Sequence, residues 1–216
     1  VVIPQACAVK IDQDIPLDKA ALVGCGVMTG VGAAINTAKV EPGSSVAVFG
    51  CGGVGLSIIQ GARLAGAATI IAVDIAANKL DMAKHFGATH VINGSEADAV
   101  IKIQELTEGG CDYAFEAVGV PKLMEQTNDC LRRGGTAVMV GVGSLMENVS
   151  FNALMISMGA KTVKGCFYGD ANPAVDFPRL LNLYQCGKLN LDDMVSKRYS
   201  IDEAPQAFSD MEKSAN

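Results

Sequence analysis

What this chain lacks narrows it first. No C-x-x-C pair occurs among its seven cysteines, and the two histidines, His85 and His90, form no cluster with them, so no metal site closes from spacing alone. Cys7, Cys25, Cys51, Cys111, Cys130, Cys166 and Cys186 sit singly, several inside apolar runs where a reduced thiol packs as a small hydrophobe. An odd, unpatterned set of thiols points to a reducing cytosol and away from a disulfide-stapled secreted protein. The opening Val1-Val2-Ile3-Pro4 has no basic segment followed by an apolar core, so no signal peptide is expected. No apolar run reaches the roughly 18 residues that would span a bilayer, so no membrane partner is expected. Basic residues number 17 against 23 acidic and form no stripe, which argues against a nucleic-acid surface.

What is present is a 216-residue chain, half of it apolar, long enough to bury a full core. Ser45 to Phe49 is a short uncharged run of the kind buried on both faces of a parallel sheet. Helical spacing follows from Leu56 to Leu64, then a strand from Thr69 to Val73 and a helix from Asn78 to Phe86. The alternation continues with strands at His90 to Ile92, Asp112 to Phe115, Thr136 to Val140 and Thr162 to Cys166, separated by helices at Asp98 to Leu106, Pro121 to Leu131 and Phe151 to Met158. The fifth strand is expected to start after an Arg133-Gly134-Gly135 turn. This rhythm predicts an α/β fold, a doubly wound parallel sheet of Rossmann type with flanking helical segments. Residues 1–40 read as linking helices from a preceding domain, one ending near Val23 and one from Gly30 to Lys39, with Gly24 to Met28 as a tight junction. Residues 41–170 read as the dinucleotide-binding domain, and 171–216 as C-terminal helices at Asp176 to Cys186 and Ile201 to Met211. Both ends read as cut from a longer protein.

Gly50, Gly52 and Gly55 form G-x-G-x-x-G between a predicted strand and a predicted helix. The first glycine permits the turn, the second lets a pyrophosphate approach the backbone, and the third lets helix and strand pack closely. Asp74 ends the second strand, where a carboxylate can accept both ribose hydroxyls and repel a 2′-phosphate; Ile75, Ala76 and Ala77 supply no arginine to receive one. NAD is therefore expected over NADP. Lys79 reads equally as a ribose contact or an exposed helix residue. Cys25, with glycines on both sides, reads as a packed thiol or as a zinc ligand or nucleophile.

Together, Gly24-Cys25-Gly26-Val27-Met28-Thr29-Gly30-Val31-Gly32, Val48-Phe49-Gly50-Cys51-Gly52-Gly53-Val54-Gly55-Leu56, Val73-Asp74-Ile75 and Phe115-Glu116-Ala117-Val118-Gly119 resemble the zinc-containing medium-chain alcohol dehydrogenases along essentially the whole chain. The resemblance implies that Cys25 is one protein ligand of a catalytic zinc and that Thr29 packs against the nicotinamide, making these two the catalytic candidates. It implies that Gly50, Gly52, Gly53, Val54 and Gly55 cradle the cofactor, with Val54 behind the ring, and that Asp74 and Lys79 meet the adenosine ribose. By the same resemblance Val118, Val140 and Val142 line the cofactor cleft and Tyr168 lies near the nicotinamide amide. Glu116 either holds its strand end or approaches the metal. The implied substrate is an alcohol or aldehyde, and the implied assembly a homo-oligomer joined through the sheet edge near Thr162 to Gly165. The family's remaining zinc ligands belong to a domain that this sequence does not contain, so the chain alone is expected to turn over negligibly. Two other readings stand beside this one. A zinc-independent quinone or enoyl reductase is disfavoured by Asp74 and Cys25; a non-enzymatic NAD-binding oligomerisation domain would need natural chain ends.

Overall fold

Two short uncharged runs form the centre of the sheet. In the computed structural model, which describes residues 2–5 and 8–214 and so leaves Cys7 outside, β1 (Ser45–Phe49) and β2 (Thr69–Asp74) are buried almost end to end. Side chains alternate across a strand, so Val46 and Val48 enter one core with Ile58, Ile59, Leu80 and Phe86, while Ala47 and Phe49 enter a second with Ile71, Ile103 and Cys111. Helices on both faces are the physical requirement of such a strand. The remaining strands are β3 (His90–Asn93), β4 (Cys111–Glu116), β5 (Leu131–Met139) and β6 (Thr162–Gly165), all paired in parallel in the order β3-β2-β1-β4-β5-β6. The order reverses between β1 and β4, and the crevice at their carboxyl ends is where a doubly wound sheet takes its ligand. The Arg133-Gly134-Gly135 turn is absorbed into β5 as an irregularity: Cys111 faces Leu131, and Tyr113 already faces Thr136.

The first segment departs from the two predicted helices. A single 22-residue helix runs Leu17–Ala38, and the expected junction is a π-helical turn, Val23–Val27, inside it. Glycine at positions 24 and 26 does not break the helix because Val23, Val27, Met28 and Val31 are anchored in a third core with Leu180, Leu181, Leu189 and Leu191. By length and composition this helix could cross a membrane, which the predicted break had hidden; half of its apolar window is buried inside the domain, as in a core helix.

The lead-in helix lies backbone-to-backbone on the helix Gly53–Leu64. A β-carbon on Gly30 would stand 2.4 Å from Ser57 Cβ and 2.4 Å from the Val54 carbonyl oxygen, and one on Gly61 would stand 3.0 Å from Ala34 Cβ. Alanine at position 30 would therefore force helix separation and cost about 1–3 kcal/mol by overpacking. At Gly24 nothing lies within 4 Å of the added methyl; there alanine should be neutral or gain up to about 1 kcal/mol of helix propensity. Urea unfolding of Gly30→Ala and Gly24→Ala checks this contrast, and equal midpoints would refute it.

Candidate functional site

The glycine loop follows β1 directly. Gly50 has φ +93, a conformation that side chains resist, and a β-carbon there would meet Val118 Cγ2 at 2.4 Å. One on Gly55 would lie 1.8 Å from the Gly50 carbonyl oxygen, whereas Gly52 and Gly53 have nothing within 4 Å. The loop is thus closed on the protein side and open on the other. Gly52 caps the helix Gly53–Leu64 without any side-chain bond, so its first N–H groups, at the positive end of the helix dipole, have no side-chain acceptor.

Asp74 fixes the rim of this opening. One carboxylate oxygen accepts the Cys51 N–H at 2.8 Å; the other accepts the Ile75 N–H at 2.8 Å and the Ala76 N–H at 3.0 Å. A carboxylate has about four acceptor positions, so at least one remains for a ligand. Beside it lies a cleft of about 480 Å³ lined by Gly50, Gly52, Asp74, Lys79 and Val118 together with apolar side chains such as Val120 and Leu123. Among the described residues, Asp74 and Lys79 are the only charged ones lining it.

Five of the sequence-derived candidates therefore share one cleft. A second group lies outside this cleft lining, near Val54. Cys25 is exposed on the π turn, and a β-carbon on the neighbouring Gly26 would sit 3.9 Å from Val54 Cγ2. The Tyr168 hydroxyl donates to the Gly24 carbonyl at 2.9 Å; burial, then the adjacent Cys25, raises its pKa above the ordinary phenol value, so the donor is retained. Thr29 is half-buried one turn further, its carbonyl facing the Gly169 turn. Val140 is buried at the end of the sheet as part of a hydrophobic core, and Val142 is almost fully exposed in the loop beyond it.

Glu116 lies wholly buried at the end of β4. Its Oε1 accepts the N–H groups of Val118, Gly119 and Val120 at 3.0, 2.8 and 3.3 Å, so the carboxylate ties down the turn that carries Val118 into the cleft. Its Oε2 is buried without a partner. Among the described residues no three His, Cys, Asp or Glu side chains gather as a metal site. Cys25 offers one exposed sulfur donor, and a closed zinc site would need ligands from outside these residues.

The sequence reading did not single out a polar clamp beside Tyr168. Tyr168, Gly169 and Asp170 have φ of 55, 71 and 47, three successive left-handed residues. The Thr37 hydroxyl donates to Asp170 Oδ2 at 2.7 Å, and the Asn36 amide donates to the Gly169 carbonyl at 3.1 Å. No local pattern announces these pairs, whose partners are 133 residues apart.

A doubly wound parallel sheet, a glycine loop at its switch point and an acid at the end of β2 define a Rossmann-type domain. The chain belongs to the zinc-binding dehydrogenase family, which it matches over residues 53–185. It is 40% identical over 215 aligned residues to the S-(hydroxymethyl)glutathione dehydrogenase of Paracoccus denitrificans, covering 96% of this chain and 57% of that relative. The benzyl alcohol dehydrogenase of Acinetobacter calcoaceticus superposes with a TM-score of 0.92 at 41% identity, over 95% of this chain and 56% of that one. A zinc-binding dehydrogenase of Sinorhizobium meliloti described as bound to NADP is 34% identical, with a TM-score of 0.79 over 86% of this chain and 54% of its own. The chain thus spans little more than half the length of these relatives.

Thiol chemistry separates the site from the core. Burial, then the nearby Asp74, pushes Cys51 up to about 12; burial, then the hydrogen-bonded Cys111, raises Cys130 as well. Iodoacetamide at neutral pH should label the exposed Cys25 and Cys186 in the folded chain and reach Cys51, Cys111 and Cys130 only after unfolding. Peptide mass mapping reads the order, and early modification of Cys51 would contradict the described loop.

Proposed function

We propose that this chain is the NAD-binding part of a zinc-dependent alcohol dehydrogenase, transferring hydride between an alcohol and NAD. The observation that carries the reading is an exposed cysteine beside Tyr168 and near Val54 of a glycine loop that also opens into a cleft rimmed by Asp74. Dinucleotide-sized ligands have two halves, and in this reading the loop lies between the places that take them.

In this reading the open N–H groups at Gly52 and Gly53 receive the pyrophosphate, and Asp74 accepts the adenosine ribose hydroxyls, with Lys79 beside it. Val54 and Thr29 flank the nicotinamide, and Tyr168 closes the space next to Cys25. Val118 stands at the cleft wall, and Val140 and Val142 follow the end of β5, where they would line the cofactor's path. Cys25 would hold zinc together with ligands from residues outside this chain. Bound there, zinc would supply Lewis acidity toward the alcohol oxygen, and NAD the hydride acceptor. The chain's own residues do the holding and the exclusion of water. Residues 1–40 act as the link to the part that completes the metal site, 41–170 as the cofactor domain, and 171–216 as helices that lead back toward that part. A homo-oligomer through the β6 edge fits the exposed Leu154, Met155 and Met158 on the helix beside that edge. Isolated thiols suit the cytosol.

Two measurements test the reading. In the full-length protein containing this chain, Cys25→Ser should lower alcohol-dependent NAD reduction by about three orders of magnitude or more, since Lewis-acid stabilisation is worth several kcal/mol. NADH binding should persist in that variant; unchanged turnover would refute the zinc role. Separately, NADPH should bind about tenfold or more weakly than NADH, because Asp74 would face a 2′-phosphate, and Asp74→Asn should narrow the gap. Equal or tighter NADPH binding by the parent chain would overturn the cofactor assignment.

A further inference from the structure

The turn at Tyr168–Asp170 carries three successive left-handed residues. Two of its three left-handed residues are not glycine, and each such residue costs roughly 1–3 kcal/mol, which surrounding structure must offset. Here the offset is visible. A β-carbon on Gly169 would stand 2.5 Å from the Met28 carbonyl oxygen, and one on Gly32 would stand 2.5 Å from the Gly169 carbonyl oxygen, so turn and helix touch without side chains between them. Thr37 and Asn36 then bond the turn at Asp170 and Gly169, and the Thr37 hydroxyl also approaches Cys166 Sγ at 3.4 Å. At the other end Tyr168 bonds Gly24, next to Cys25. Six residues of one helix, from Gly24 to Thr37, thus grip three consecutive residues that would otherwise relax.

We propose that Thr37 and Asp170 are positioning residues for the nicotinamide half of the cofactor: their hydrogen bond holds the left-handed turn that seats Tyr168 beside Cys25. This rests on the dinucleotide reading above. Neither residue touches the reacting atoms; both act through Tyr168. Thr37 is 5% exposed, and its hydroxyl is committed to this turn, so its side chain has no surface role that would explain it.

The test compares NADH with ADP-ribose, which has the adenosine and pyrophosphate but no nicotinamide, by titration of the 216-residue chain. The blue shift of bound NADH fluorescence reports the ring's surroundings. Thr37→Val removes the donor at nearly constant shape; Asp170→Gly removes the acceptor while permitting the backbone angle; Asp170→Asn keeps an acceptor in a residue that tolerates it. The first two should weaken NADH about five- to tenfold, the worth of one hydrogen bond, and reduce the blue shift, with ADP-ribose affinity unchanged; Asp170→Asn should restore parental behaviour within about twofold. Equal NADH affinity in all four proteins overturns the proposal, as does a parent chain that binds NADH no more tightly than ADP-ribose. Parallel loss of both ligands in Thr37→Val and Asp170→Gly would assign the pair to general stability and also overturn it. Absence of ADP-ribose binding in the parent is the distinct outcome that removes the dinucleotide reading itself.

Discussion

Everything at the site depends on backbone meeting backbone along the lead-in helix. Gly30 meets the glycine-loop helix on one side and Gly32 meets the Gly169 turn on another, with separations that no side chain could occupy. Such contacts have little tolerance. A helix held by leucines can slide by an ångström as rotamers adjust, whereas one held by carbonyl oxygens against α-carbons cannot. This rigidity fixes Cys25 relative to Val54, and so fixes the sulfur relative to the glycine loop. The π turn adds a local widening that presents Cys25 outward while Val23 and Val27 stay buried.

Electrostatics at the opposite rim follow a different logic. Asp74 is held by three backbone N–H groups, so its orientation is set before any ligand arrives. A preorganised carboxylate loses less on binding than one that must first be ordered. Glu116 plays the same part for the turn after β4, spending one oxygen on three N–H groups. The Val118 side chain then stands against Gly50, where a side chain at position 50 would collide with it. Two buried or half-buried acids therefore shape the cleft from the strand ends of β2 and β4, on either side of β1.

The sheet was legible in the sequence because its strands carry their own signals. Ser45 to Phe49 and Thr69 to Val73 are uncharged and β-branched, and each ends at a glycine or an acid, so their position, burial and parallel pairing follow from local chemistry. The glycine spacing and Asp74 were legible for the same reason. The lead-in helix was not. Glycine at 24, 26, 30 and 32 reads locally as a breaker, yet at 30 and 32 it is what permits close packing, and only the neighbouring helix and the Gly169 turn decide between those two meanings. The irregular start of β5 was hidden likewise: Arg133-Gly134-Gly135 has turn chemistry, and pairing of Cys111 with Leu131 recruits it into the strand.

The clamp at Thr37, Asn36 and Asp170 marks the deeper limit. A threonine and an asparagine near a helix end are ordinary in sequence, and an aspartate after Tyr-Gly is an ordinary turn residue. Their meaning appears only when the chain returns after β6 and lays Gly169 on Gly32. Residues that bind a ligand directly tend to announce themselves through chemistry that the ligand demands, such as a glycine where a phosphate must approach. Residues that position others answer only to the tertiary geometry of this one fold, and so they leave no pattern at fixed spacing. The left-handed angles at Tyr168 and Asp170 are that geometry's trace: without the helix beneath it the turn would relax toward ordinary backbone, and Tyr168 would leave Gly24.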